Sequence, residues 1–182
     1  MRQLILANLQ HVLCGLLLVA RIGDVGSTYL VTPTLKLEGN LLAKKLGWRF
    51  ALLTILVCFV PYYDVTLGMV ILVPSLFVSA SNIGRIWMVR AMGENEFAEL
   101  LLTMARRTKL RTAICGVVGA SAFVILAGAV LCFLAPNPSR DWGFWFGYGI
   151  ILYGAVILVH GSLSYWRLFK KARALETPPP PA

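Results

Sequence analysis

The chain has 182 residues, 58% of them hydrophobic, a mean hydropathy of +0.76 and a formal net charge of +9. Soluble domains contain about 45–50% apolar residues, and here the apolar residues form long blocks, which excludes an ordinary soluble domain. The basic residues lie between those blocks, so the charge indicates contact with anionic lipid and does not predict nucleic-acid binding.

Five apolar blocks predict an all-α bundle of transmembrane helices, forming one domain over residues 1–175. The predicted spans are 8–31, 43–61, 65–88, 112–134 and 144–165. The second span is the shortest. Its uninterrupted apolar core, Trp48–Pro61, would rise only about 21 Å as an α-helix, against a hydrocarbon core of about 30 Å. It therefore either begins earlier, near Leu41, or is re-entrant.

The first span has two possible registers. If it covers Leu4–Ala20, Arg21 lies at the membrane interface. If it covers Val12–Val31, Arg21 and Asp24 are central, and the polar residues just before Val12 favour this later register.

The distribution of basic residues predicts the orientation. With five spans, most of the 17 basic residues fall on one side. They are Lys36, Lys44, Lys45, Arg49, Arg85, Arg90, Arg106, Arg107, Lys109, Arg111, Arg167, Lys170, Lys171 and Arg173. The positive-inside rule then puts this side and the C-terminus in the cytoplasm and the N-terminus outside.

The segment 93–111 is predicted to be an amphipathic cytoplasmic helix. Acidic residues come first and basic residues last, which suits the helix dipole, and apolar residues recur at helical spacing. Such a helix would lie on the membrane surface or form a solvated linker.

Polar residues inside the spans form the candidate site. Arg21, Asp24 and Thr28 share one face of the first helix, and Asn82 and Arg85 lie near one end of the third. In the fifth span, His160 precedes a basic block. Because an ionised group in hydrocarbon costs several kcal/mol, Asp24 should be paired, with Arg21 or with Arg85. The alternatives are a structural polar cluster and a functional one.

Glu38 and Asn40 extend this candidate site into the first cytoplasmic loop. The stretch "DVGSTYLVTPTLKLEGN" resembles the small bacterial membrane proteins grouped as DUF5658-like, in which an Asp and a Thr precede a loop Glu-x-Asn-Pro. Asp24, Thr28, Glu38 and Asn40 match, whereas Leu41 replaces the proline. The resemblance covers about residues 21–42 and implies an integral inner-membrane protein of unknown activity.

Small residues predict helix packing, either within one bundle or at a homo-oligomer interface. They are Gly143, Gly147, Gly154 and Gly161 in the fifth span and Gly116 and Gly119 in the fourth. The proline-rich tail, 176–182, is predicted to be disordered.

No catalytic motif, cysteine pair or metal-ligand spacing is present, so no cofactor or metal is predicted. The first hypothesis is a non-enzymatic scaffold or partner subunit of the bacterial inner membrane, with the bilayer and a membrane protein as its partners. The second is a small ion- or proton-linked transporter or channel using Asp24 and His160. The third is an intramembrane enzyme acting on lipid.

Overall fold

The protein is all-helical over the residues that its computed structural model describes, which are 8–35, 41–137 and 141–175. A 3₁₀ segment covers Ile55–Phe59. The helices are α1 Leu9–Val31, α2 Leu41–Leu46, α3 Trp48–Thr54, α4 Val60–Tyr63, α5 Val65–Met92, α6 Glu94–Arg107, α7 Leu110–Leu134 and α8 Trp142–Ala174. The prediction of an all-α fold is thus confirmed.

Four helices, α1, α5, α7 and α8, are long and apolar enough to cross a membrane. α5, α7 and α8 each contain one of the predicted spans, and α1 begins one residue after the predicted start of the span 8–31. α5 and α8 continue past the predicted ends at residues 88 and 165. The 33 residues of α8 rise about 50 Å, which exceeds the hydrocarbon core of about 30 Å. A membrane helix can be this long when its polar end continues into water. The proline-rich tail, 176–182, lies outside the described residues.

The predicted second span is not one continuous helix. Its apolar part, Trp48–Tyr63, is shorter than the four long helices and consists of α3, the 3₁₀ segment and α4. We call Trp48–Tyr63 the return segment. The ring of Trp48 lies 5.5 Å from that of Tyr29, and the Tyr62 hydroxyl lies 2.8 Å from Nδ1 of His11. The return segment therefore runs along α1 in the opposite direction.

The 3₁₀ geometry explains how a short segment follows a longer helix. From His11 to Tyr29, α1 rises about 27 Å, whereas an α-helix from Trp48 to Tyr62 would rise about 21 Å. The 3₁₀ rise of about 2.0 Å per residue adds roughly 2.5 Å over Ile55–Phe59. Cys58, in the 3₁₀ segment, is buried with Leu13 and Leu17 of α1.

The long helices have fixed relative directions. Arg21 and Asp24 of α1 contact Ser75 and Asn82 of α5 in the same order, so α1 and α5 are parallel. The ring of Tyr153 in α8 stacks at 4.9 Å on Phe77 of α5.

The direction of α8 follows from a second contact with α5. A side chain at Gly149 would meet Val73 of α5, so α8 is also parallel to α5. Val117 and Gly128 of α7 meet Gly161 and Gly147 of α8 in reverse order, so α7 is antiparallel to α8.

Two ends of the bundle follow from these directions. The basic end contains the C-terminal ends of α1, α5 and α8, together with α6. The Asp64 end contains the start of α1, the α4–α5 turn and the α7–α8 connection. At this end Asp64 caps α5 by accepting from the backbone N–H groups of Thr66 and Leu67, and Asp141 caps α8 at Gly143.

Close packing of α7 on α8 requires glycine. A Cβ at Gly128 would lie 2.6 Å from the Gly147 carbonyl oxygen, and one at Gly154 would lie 2.6 Å from a side-chain carbon of Ile125. A Cβ at Gly161 would lie 3.1 Å from Val117. The predicted glycine stripe of α8 thus packs within the chain. Gly116 and Gly119 of α7 face open space, and Gly143 faces the capping Asp141.

The outer surface of the long helices is strongly apolar. Phe123 and Phe133 of α7 are 77% and 89% exposed, and Trp87 of α5 is 70% exposed. The buried positions of the same helices include Ser27, Ser75, Ser79 and Ser121. Apolar residues outside and small polar residues inside are the distribution expected of membrane-embedded helices.

The predicted amphipathic segment 93–111 contains α6, which packs on the protein itself. Gly93, with φ of 82°, ends α5 and allows the sharp change of direction. Ala105 of α6 is buried with Phe169 and Ala172, in the part of α8 beyond residue 165. The Glu94 carboxylate accepts hydrogen bonds from Thr32 and Thr34. The C-terminal extension of α8 therefore covers one face of α6.

Candidate functional site: a polar cluster between α1 and α5

An arginine and an aspartate meet in the middle of α1. The helix continues through both residues to Val31, as the later register requires. Arg21 and Asp24 are three residues apart and so lie on one face, where NH1 of Arg21 is 3.3 Å from Oδ2 of Asp24. The side chains are only 16% and 20% exposed. The pair is therefore largely removed from the surface of the bundle.

Hydrogen bonds from this pair cross to α5. Arg21 NH2 donates to Ser75 Oγ over 2.6 Å, and the Ser75 hydroxyl in turn donates to the carbonyl oxygen of Ile71. The amide of Asn82 donates to Oδ1 of Asp24 over 3.0 Å and lies 3.4 Å from the Thr28 hydroxyl. One turn away, the Ser79 hydroxyl lies 2.7 Å from the carbonyl oxygen of Ala20.

These contacts define the polar cluster. Its members are Arg21, Asp24, Thr28, Ser75, Ser79 and Asn82. Both carboxylate oxygens of Asp24 accept hydrogen bonds from the chain, which offsets the cost of removing the charge from water. Hydrogen bonds at three successive levels also fix the register of α1 against α5.

Two predicted members make none of the hydrogen bonds described for the polar cluster. Arg85 and His160 are exposed side chains, and the hydrogen bonds described for the cluster include neither of them. The ion pair of Asp24 is with Arg21, the nearer arginine in sequence, since a spacing of three puts the two on one helix face. Glu38 and Asn40 lie outside the described residues.

A cleft opens beside Arg21. Its volume is about 440 Å³, and it lies between α1 and the return segment, with Leu18, Val25, Trp48 and Leu52 among its lining residues. The Nε atom of Arg21 is buried there with no hydrogen-bond partner in the described part of the chain. Among the described residues, Arg21 is the one charged group that lines this otherwise apolar cleft.

Some contacts could not be found from sequence. Ser75 and Ser79 share a helix arc with Asn82, so their polarity was a detectable signal, but which of them meets Arg21 depends on the α1–α5 register. The bonds from Thr32 to Glu94 and from Tyr62 to His11 join residues far apart in sequence, and no local pattern marks them.

No known protein family, curated protein or solved structure is significantly similar to this chain. The resemblance of residues 21–42 to DUF5658-like proteins stays a prediction. Across residues 8–35, 41–137 and 141–175, no three His, Cys, Asp or Glu side chains come close enough together to hold a metal ion.

Proposed function

We propose that this protein is a non-catalytic scaffold or partner subunit that crosses the bacterial cytoplasmic membrane five times. The observation that carries the proposal is the polar cluster, in which the charged groups at mid-membrane bind one another and α5. Such a network holds two helices in one arrangement. Both carboxylate oxygens of Asp24 accept hydrogen bonds from the chain, as expected of a structural carboxylate.

The fifth crossing is the return segment. Its two ends contact Tyr29 and His11, which lie near opposite ends of α1. If α1 crosses the bilayer, a segment that runs beside it over this distance crosses as well. A re-entrant loop would bring Tyr62 back to the end of α1 that contains Tyr29.

The distribution of charge supports the proposed orientation. The basic end contains the basic residues of α6 and of the last turns of α8, whereas Asp64 and Asp141 cap helices at the opposite end. By the positive-inside rule the basic end faces the cytoplasm, with the N-terminus outside. Membrane-impermeant maleimide should label Tyr63→Cys in intact cells, but label Thr108→Cys only after the cells are permeabilised. Wild type supplies the background from the native cysteines.

The proposed partner surface is the outward face of α7. It packs on α8 through Val117, Ser121 and Gly128, while Phe123 and Phe133 point outward. A photo-crosslinking amino acid at Phe123 should give an adduct of one defined protein mass in cells. The control position for the crosslinker is Val19, which is 65% exposed on α1. Equal adducts at both positions, or lipid adducts alone, would contradict the use of α7 as a partner surface.

A second candidate function is an ion- or proton-linked transporter, favoured by the cleft that Arg21 lines between α1 and the return segment. The purified full chain in liposomes distinguishes the two functions. A scaffold shows no protein-dependent proton or cation flux. Flux that disappears in a stably folded Asp24→Asn variant would instead establish the transporter. Loss of flux in His160→Ala would add His160 to that mechanism.

A further inference from the structure

A second cleft, rich in positive charge, lies at the basic end. Its volume is about 500 Å³, and α6, the α6–α7 turn, α7 and the end of α8 all contribute to it. We call it the basic cleft. Its charged lining consists of Arg106, Lys109, Arg111 and Arg173, and its apolar lining includes Leu110 and Phe169. The fold thus brings basic residues from three helices around an apolar floor.

Two of the basic residues that line the basic cleft, Lys109 and Arg111, lie at the start of α7. Lys109 and Arg111 are exposed, and the first turn of α7 contains no acidic residue. The acidic residues of α6 are Glu94, Glu96 and Glu99, and the nearest of them, Glu99, is about 10 Å from Arg106 along the helix. No side chain caps the N-terminus of α7 at Lys109, so its first N–H groups add positive potential. The basic cleft therefore attracts anions.

The depth of the basic cleft matches that of lipid phosphates. On α8, Trp142 and Trp166 are about 36 Å apart, the distance between the two interfacial aromatic layers of a bilayer. Trp166 is 51% exposed, and Lys170 lies over its ring. Phe169 lies within one helical turn of Trp166, and Leu110 packs against the buried cluster that contains Phe169. The apolar sequence of α7 begins just after Arg111, so the basic cleft opens where headgroups meet acyl chains.

We propose that the basic cleft binds the phosphate of an anionic membrane lipid, with Lys109 and Arg111 as its principal ligands and the acyl chains beside Leu110. This inference rests on the proposed orientation, in which the basic end lies at the cytoplasmic leaflet. A free phosphate ion would gain nothing from the apolar floor. A lipid uses both parts of the basic cleft.

The test is native mass spectrometry of the purified full chain, titrated with phosphatidylglycerol or phosphatidylcholine. Wild type should retain phosphatidylglycerol in preference to phosphatidylcholine. Lys109→Gln/Arg111→Gln should weaken the retention of phosphatidylglycerol by tenfold or more, at roughly fivefold for each basic residue at an anionic surface. Lys45→Gln/Arg49→Gln is the matched control, because it removes the same charges from exposed positions elsewhere. The control should retain phosphatidylglycerol like wild type.

Three results would overturn the proposal: equal retention of the two lipids by wild type, an equal loss in the control, or competition by millimolar inorganic phosphate that matches the lipid. Lys109→Gln alone, at an exposed position, replaces the double variant if that variant misfolds, and should lose about fivefold. The maleimide labelling separates the two proposals. Labelling of Thr108→Cys from outside refutes the orientation, whereas correct labelling without lipid preference refutes only the lipid site.

Discussion

Replacing Asp24 or Arg21 tests whether the polar cluster is structural. In Asp24→Asn, the Arg21 guanidinium keeps only its bond to Ser75. Breaking a buried ion pair costs about 3–5 kcal/mol, and we expect about 2–3 kcal/mol here. The value is lower because the pair is 16–20% exposed and the new amide still accepts from Asn82.

The opposite single variant, Arg21→Met, should cost about 1–2 kcal/mol, because Asp24 keeps the hydrogen bond from Asn82. The double variant, Asp24→Asn with Arg21→Met, removes both charges of the ion pair. Its cost should therefore be about 1–2 kcal/mol less than the sum of the single costs. The free energy of unfolding is measured for the full chain by reversible titration of mixed micelles with dodecyl sulfate, followed by circular dichroism.

The matched control combines Asp24→Asn with Arg49→Met. Arg49 is an exposed arginine on the return segment, so the two costs should add within about 0.5 kcal/mol. Additive costs for Asp24 and Arg21 would refute the structural reading of the ion pair. An Asp24→Asn variant as stable as wild type would do the same, and would direct attention to flux through the adjacent cleft.

Three further changes test the packing and the helix ends. Gly154→Leu should lower the free energy of unfolding by about 1–3 kcal/mol or more, because its Cβ would lie 2.6 Å from Ile125, whereas Gly116→Leu faces open space and should be nearly neutral in the same titration. Asp64→Ala should cost about 1 kcal/mol in that titration through loss of the α5 cap, and Asp64→Asn, which keeps a capping oxygen, should cost less. Glu94→Ala removes the acceptor for Thr32 and Thr34, so amide hydrogen exchange should accelerate in the first turn of α6; unchanged exchange would mean that packing on α8 alone holds this helix.

Local sequence patterns predicted much of the fold, because a membrane helix must be both long and apolar. The blocks containing α1, α5, α7 and α8 meet both conditions, and each has turn residues or charge at its ends. The return segment was the difficult case. Its length in residues suggested a choice between re-entry and an earlier start, since sequence does not reveal a 3₁₀ stretch that lengthens a segment without adding residues.

The candidate site was predicted in part for the same reason. The i, i+3 spacing of Arg21 and Asp24 brings them together within a single helix, so one sequence is enough to predict their pairing. Asn82 could be placed on the correct arc of its helix. Arg85 was predicted on the same arc, and His160 was added from its depth in the membrane. Depth does not specify which way a side chain points in the assembled bundle.

The sequence by itself determined the long apolar helices, the clustering of basic charge and the Arg21–Asp24 pair, since these depend on composition and on spacing within one helix. Only the tertiary structure decided the parallel pairing of α1 with α5, the bonds to Ser75 and Asn82, the packing of α6 on α8 and the basic cleft. These features join residues separated by dozens of positions. Their relative placement depends on which backbones approach closely, as Gly128, Gly147 and Gly154 allow for α7 and α8.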